Sequence, residues 1–185
     1  ELKRLHLATK TLIVVQNSTL RQFAEFAPKL YPHAMILIAD KKDLVKEKRK
    51  RFMSRIAVGD WDMVIMAQSS FDMLRDDPDL VTRHYEDQLA ELEQIIRESE
   101  NHSTIKDAER QKKQLEKMLD KLNDKKAEED IIYFSDLGLD ALIIDEAHAY
   151  KRNFFPTKMQ RVKGLDRGAS QRAFSLSLKI KYIME

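Results

Sequence analysis

The chain has 185 residues, 35% of them charged, and its formal net charge at pH 7 is only +2. This length suits one domain with a core and room for an insertion, and the small net charge means that any nucleic-acid surface must be local. The absence of cysteine excludes a disulfide scaffold and thiolate metal sites, and no apolar run approaches the length that crosses a membrane.

Three short apolar runs in the first half of the chain predict buried strands at residues 11–15, 35–39 and 63–67. Apolar residues at helical spacing predict helices from residue 20 and from Asp43, its cap, to about Val58. Pro28 is predicted to break or kink the first of these helices, and Leu2 and Leu5 are predicted to end a helix that precedes the first strand.

Polar residues follow two of these strands directly. Asn17, Ser18 and Thr19 come after the first strand, and Ser69 and Ser70 come after the third. Such residues cap helices, and a capped helix is the simplest interpretation of each loop taken alone. Exposed N–H groups and hydroxyls at the start of a helix also bind phosphate.

Residues 79–130 differ from the rest of the chain. Apolar residues recur at heptad-like spacing in two segments that a polar turn at residues 101–104 separates. The first segment carries Tyr85, Leu89, Leu92 and Ile96 at this spacing. Two such segments predict an antiparallel helical hairpin with arms of about 20 residues, hence roughly 30 Å long. The hairpin explains the high share of charged residues.

A fourth buried strand is predicted at the start of residues 141–150, where a short apolar run ends in Asp145 and Glu146, with His148 two residues later. In open α/β sheets, ligands bind just outside the carboxyl ends of the strands. The sequence therefore predicts the chemistry of this protein at Asp145 and Glu146. Cations follow from Lys151 and Arg152 onward, interleaved with aromatic residues, which is a mixture that can line a nucleic-acid groove.

The order of these features resembles the first RecA-like lobe of Swi/Snf-type superfamily two helicases and DNA translocases. Residues 145–148, Asp-Glu-Ala-His, resemble motif II of that family (the Walker B or DEAH box), and the polar loops after the first and third strands resemble motifs Ia and Ib. Residues 137–144 and 150–153 around the box are similar to helicase–methyltransferase proteins of bacterial mobile elements and phages. Motif II is specific, whereas the other two motifs are informative only by position.

The resemblance implies an α/β fold, a RecA-like parallel sheet flanked by helices, with the hairpin inserted between a first part at residues 1–78 and a second at 131–185. It implies that Asp145 binds Mg²⁺, that Glu146 positions the water that attacks ATP, and that His148 links nucleotide state to nucleic-acid binding. Side chains expected to contact the DNA backbone are Asn17, Ser18, Thr19, Ser69, Ser70, Lys151 and Arg152. The implied partners are DNA and a second RecA-like lobe, with no membrane, and the expected location is cytoplasmic.

The chain departs from the family in two respects. It lacks motif III and the second lobe with its arginine finger, and it lacks the P-loop. The sequence contains no Gly-x-x-x-x-Gly-Lys-Ser/Thr string and no Gly-Lys pair. Without the P-loop amides and lysine, nothing in the chain cradles the β- and γ-phosphates. Both ends resemble cut points in a larger protein, so Mg²⁺ and ATP are expected cofactors of that parent, and this piece alone is expected to hydrolyse no ATP.

Two alternatives stay open at this stage. The chain is either part of an active ATPase lobe or a catalytically dead lobe that binds nucleic acid or protein through its basic loops and hairpin. A third, metal-dependent hydrolase chemistry at Asp145, Glu146 and His148 lacks an evident further cluster of ligands. The sequence does not distinguish unwinding, translocation and remodelling, or DNA from RNA.

Overall fold

The computed structural model describes residues 2–123, 131–151 and 170–185. The chain divides into two compact units. The first unit comprises Glu1–Asp76, Asp130–Ala149 and Lys179–Glu185, and the second comprises Asp77–Glu129 and Tyr150–Leu178. The domain limits 1–78, 79–130 and 131–185 stay a prediction.

A four-stranded parallel sheet forms the centre of the first unit. Its strands are β1 (Thr11–Val15), β2 (Ile36–Ile38), β3 (Met63–Ala67) and β4 (Ala141–Ile144), in the order β2-β3-β1-β4. A parallel sheet needs crossover connections, and helices follow β1 and β2 in the chain. The predicted fold class, an α/β RecA-like parallel sheet flanked by helices, is confirmed.

Burial alternates along β1, because successive side chains point to opposite faces of the sheet. Leu12 and Val14 have no exposed surface, whereas Thr11 and Ile13 are half-buried. Among the described residues, β4 pairs with β1 alone, and its Ile143 is 48% exposed.

Three helices of this unit follow the strands: α1 (Leu20–Leu30), α2 (Lys46–Val58) and the short α3 (Gln68–Phe71). The predicted break at Pro28 is wrong, because α1 continues through it to Leu30. The proline lies in the last turn, where only one hydrogen bond is lost, and the Tyr31 N–H still donates to Ala27 O at 2.9 Å.

Two other local predictions are also wrong. Residues 2–6 form turns rather than the end of a helix. Asp43 does not cap α2, because its carboxylate accepts from the Asp40 N–H at 3.1 Å and so closes the turn that precedes the helix. The N-cap of α2 is Val45, which makes no side-chain cap.

Polar contacts join distant segments of the first unit. Asp140 accepts from the backbone N–H groups of Thr9 and Lys10 at 2.6 and 2.8 Å, and from the Thr9 hydroxyl. Partial burial raises the pKa of Asp140, but these hydrogen bonds outweigh it and leave the pKa below its usual value. The start of β1 is thereby tied to the start of β4.

Lys179, near the end of α6 (Gln171–Met184), is the most deeply buried charged side chain described, with 2% exposure. It forms an ion pair with Asp76, and its ammonium lies 5.4 and 5.6 Å from the ring centres of Phe71 and Phe134. Burial lowers the pKa of Lys179, although Asp76 opposes that shift. Three residues further along α6, Tyr182 donates to Ser135 O at 2.9 Å.

The second unit contains the predicted helical hairpin, formed by α4 (Pro78–Glu98) and α5 (His102–Asn123). Asp77 caps α4 by accepting from the Asp79 N–H at 2.9 Å. The side chains buried between the arms are Leu92, Ile95, Ala108 and Leu115, with Tyr85, Leu89 and Ile96 packed against them. The arms pack against each other and only residues 99–101 connect them, so they run antiparallel.

The set of side chains buried between the arms differs slightly from the predicted apolar repeat. Gln88 and Ile95 are buried, 5% and 8% exposed, although neither belongs to the predicted apolar repeat. The Gln88 Oε1 atom has no hydrogen-bond partner among the described residues. One exposed ion pair, Lys112 Nζ to Glu93 Oε1 at 2.6 Å, also joins the arms.

No helix in the described ranges is long and apolar enough to span a bilayer.

Candidate functional site

The carboxyl ends of β1, β3 and β4 lie side by side at one edge of the sheet. Val15 is level with Ala67, and Val14 is level with Ile144. The polar residues that follow the three strands are therefore neighbours in space, although up to about 130 residues separate them in the chain. The two loops predicted to contact phosphate and the acidic strand end meet here.

The acidic pair lies directly beyond β4. The Asp145 N–H donates to Val14 O at 2.8 Å, which extends the strand pairing by one residue and fixes the Asp145 backbone. Glu146 then adopts a left-handed conformation with φ of 55°, which is uncommon for a residue with a β-carbon. This conformation ends the strand abruptly, and the Glu146 side chain is exposed.

His148 lies against the second acid. Its Nδ1 is 2.6 Å from Glu146 Oε2, and both side chains are at least half exposed. A histidine in this position can hold one carboxylate oxygen in place while the other stays available to a water molecule.

Gln68, the first residue after β3, contacts the same turn. Its side-chain Nε2 donates to Asp145 O at 2.9 Å and makes a longer contact of 3.5 Å with Glu146 O. Gln68 is not among the site residues predicted from the sequence. Its position directly after a strand, matching that of Asp145, was the available signal, but a glutamine at the start of a helix is not distinctive.

The loops after β1 and β3 are also joined. Asn17 Oδ1 accepts from the Ser69 hydroxyl at 2.9 Å and lies 3.4 Å from the Ser69 backbone N. The side chains of Asn17 and Ser18 are exposed and that of Ser69 is half-buried. Of the residues predicted to contact phosphate, the structure brings Asn17 and Ser69 together.

Two other hydroxyls in these loops face the protein. Ser70 is completely buried, so its hydroxyl offers no surface to a phosphate in this conformation. Thr19 donates to Gln16 O at 3.1 Å and makes no side-chain cap on α1. The phosphate contacts of these residues stay a prediction.

The basic segment after the acidic turn is described only in part. Lys151 is exposed, whereas Arg152 and the aromatic residues that follow it lie outside the described residues. Arg172, at the start of α6, has its guanidinium 4.9 Å from the ring centre of Tyr150, which is buried. Both of these residues belong to the second unit.

Within the described ranges, no group of three or more histidines and acids is arranged to hold a metal ion. Asp145, Glu146 and His148 thus do not form a protein-only metal cage. Asp145 remains a single half-buried carboxylate at a rigid strand end.

One comparison with known proteins identified a relationship. A family model described as a probable helicase domain matches residues 1–185. Comparisons with curated proteins and with solved structures gave no match.

Proposed function

The chain belongs to the family of probable helicase domains, and from that premise we propose that it is part of the ATP-hydrolysing lobe of a DEAH-type, Swi/Snf-like DNA translocase. The observation that carries the proposal is the Gln68 hydrogen bond to the Asp145 carbonyl. It joins the loop after β3 to the acidic turn after β4, where a nucleotide site and a phosphate-backbone site would have to communicate.

The residues present fit a magnesium ion bound mainly through water. Mg²⁺ usually keeps several waters and takes one or two carboxylates together with the substrate phosphates. Asp145, a lone carboxylate fixed by a backbone hydrogen bond at 2.8 Å, suits that role. The bound ion would supply positive charge to the phosphate oxygens.

Glu146 is proposed as the base that orients the attacking water. Its exposed carboxylate is held at Oε2 by His148, which leaves Oε1 to accept a hydrogen bond from water and then its proton. His148 is proposed to transmit changes at this carboxylate to the nucleic-acid surface. General-base catalysis of this kind typically contributes about 10²–10⁴-fold in rate.

Asn17, Ser18 and Ser69 are proposed to contact the DNA phosphate backbone, and a phosphate contact is also proposed for Lys151. Amide and hydroxyl groups position a nucleic acid without reading its sequence. The expected interaction is therefore independent of DNA sequence, and cations such as Lys151 make it sensitive to salt.

The missing phosphate cradle limits what the chain does alone. Because no Gly-Lys pair occurs in the sequence, residues 1–185 by themselves are expected to hydrolyse no ATP. The same lack favours the second candidate, a catalytically dead lobe that binds nucleic acid. ATP hydrolysis by residues 1–185 alone, lost in Glu146→Gln, would contradict the expectation that they hydrolyse no ATP.

A DNA titration tests the proposal. Fluorescence anisotropy with a labelled duplex at several salt concentrations is expected to show weak binding that falls steeply as salt rises. Asn17→Ala removes one polar contact of roughly 1 kcal/mol and is expected to weaken binding about fivefold. Asn101→Ala, in the loop of the helical hairpin, is the matched control and is expected to leave the affinity unchanged. Absence of binding at low salt, or equal effects of both variants, would overturn the assignment.

A further inference from the structure

The dipeptide Gln68-Ser69 bonds to two different loops. Ser69 donates its hydroxyl to Asn17 Oδ1, in the loop after β1, at 2.9 Å. Gln68 donates its carboxamide to Asp145 O, in the turn after β4, at 2.9 Å. Adjacent residues on one rigid strand end thus join the proposed phosphate contact to the proposed catalytic turn.

The catalytic turn needs such support. Glu146 has φ of 55°, and a non-glycine residue keeps this sparsely populated conformation only when its surroundings hold it there. The Gln68 carboxamide lies within 3.5 Å of both carbonyls that flank the Glu146 backbone, those of Asp145 and Glu146. It is the side chain placed to hold the turn.

The effect of a bound phosphate depends on whether the Asn17 amide or the Ser69 hydroxyl donates to it. The single hydroxyl hydrogen of Ser69 is already donated to Asn17 Oδ1. A phosphate oxygen that accepts from the Asn17 amide leaves this bond in place, whereas one that takes the Ser69 hydroxyl breaks it. The second event removes the hydrogen bond that joins Ser69, the neighbour of Gln68, to the loop after β1.

We propose that Gln68 is a positioning residue that holds Glu146 in its left-handed conformation and couples phosphate binding at Asn17 and Ser69 to the orientation of the Glu146 carboxylate. The coupling half of this proposal rests on the proposed function, because it requires a nucleic acid at Asn17. The positioning half concerns the folded chain alone.

The positioning half is tested without nucleic acid. Gln68→Met keeps the length of the side chain and removes its donors, and Gln114→Met on the exposed surface of α5 is the control. Gln68→Met is expected to shift the NMR amide and Cα resonances of residues 145–148, with unchanged resonances in β2 and in the hairpin. Unshifted resonances at residues 145–148 would overturn the positioning role. Shifts throughout the sheet would show a merely structural role, and the same comparison in Gln68→Glu excludes an effect peculiar to methionine.

The coupling half is tested by adding a DNA duplex to the same samples. In the unsubstituted chain, resonances of Asn17, Ser69 and residues 145–148 are expected to move together. In Gln68→Met, only those of Asn17 and Ser69 should move. Equal responses at residues 145–148 in both proteins would overturn the coupling while leaving the proposed function intact. No response at Asn17 and Ser69 in either protein would overturn the coupling together with the proposed function.

Kinetics of the longer ATPase that the proposed function requires give a second readout. Gln68→Met is expected to lower the DNA-stimulated kcat about 10- to 100-fold, the cost of a misplaced catalytic group, with KM for ATP within about twofold. A rise in KM at unchanged kcat would contradict the positioning role.

Discussion

The sheet unit and the helical hairpin are stabilised in different ways. The hairpin has an apolar seam of residues such as Leu92 and Leu115, supplemented by one exposed ion pair. The sheet unit adds polar contacts between segments far apart in the chain, notably Asp140 with Thr9, Lys179 with Asp76 and Gln68 with Asp145. These polar contacts fix individual side chains and turns of the sheet unit. The apolar seam fixes only the two helices against each other.

The largest effect of a substitution is expected in the acidic turn of the sheet unit. In the longer ATPase that the proposed function requires, Glu146→Gln removes the proposed base and is expected to lower DNA-stimulated ATP hydrolysis by about 10²–10⁴-fold. Glu109→Gln, the same change on the exposed surface of α5, is expected to have no effect on kcat. A steady-state ATPase assay measures both variants. Equal activity in Glu146→Gln and in the unsubstituted protein would refute the catalytic assignment.

The buried ion pair tests how far the sheet unit depends on its polar contacts. Asp76→Ala leaves the Lys179 ammonium buried without its acid and is expected to reduce the free energy of unfolding by about 3–5 kcal/mol. Lys179→Met, which removes the charge and packs between the rings of Phe71 and Phe134, is expected to cost much less. Urea denaturation of the two variants gives the comparison, and an equal cost would show that packing, not the unpaired charge, dominates.

Matched truncations test whether the two regions are equally well packed. Leu12 in β1 and Leu92 in α4 are 0% and 1% exposed, so Leu12→Ala and Leu92→Ala are each expected to cost about 2–5 kcal/mol. Leu119→Ala, at a half-buried position in α5, should cost clearly less. Chemical denaturation provides the measurement, and a small effect at Leu92 alone would show that the hairpin seam is loosely packed.

The tie between β1 and β4 predicts a pH dependence. Because its hydrogen bonds lower the pKa of Asp140 below the usual 3.8, the folded chain gains stability from the ionised carboxylate above that value and loses it as the pH falls through the folded-state pKa. Asp140→Asn is expected to cost about 1 kcal/mol at neutral pH after solvent screening. Unfolding curves should show this difference shrinking below about pH 4, and a difference independent of pH would contradict it.

The smallest effect is expected in the hairpin and has the opposite sign. Gln88 is buried, and its Oε1 has no partner in the part of the chain that the structure describes, so Gln88→Leu should raise the free energy of unfolding by about 1 kcal/mol. Gln94→Leu, at an exposed position in the same helix, should not. Thermal denaturation distinguishes the two, and a loss of stability in Gln88→Leu would mean that the carboxamide makes a contact worth keeping.

Elements with strong local periodicity were predictable. β1 and β3 have the predicted limits, and the hairpin arms contain 21 and 22 residues. The errors lie where a neighbouring segment decides the outcome. Asp43 closes the preceding turn instead of capping α2. This outcome is not encoded in the spacing of nearby residues.

The sequence by itself determined which segments become strands and helices, and it placed Asp145 and Glu146 at a strand end, because hydrophobic periodicity and turn residues act over a few neighbours. Only the tertiary structure decided which loops meet. The hydrogen bonds of Asn17 with Ser69 and of Gln68 with Asp145 span 52 and 77 residues, and they exist because parallel pairing brings the carboxyl ends of β1, β3 and β4 to one edge. Strand order and register are set by packing of the whole sheet, so no local pattern reveals them.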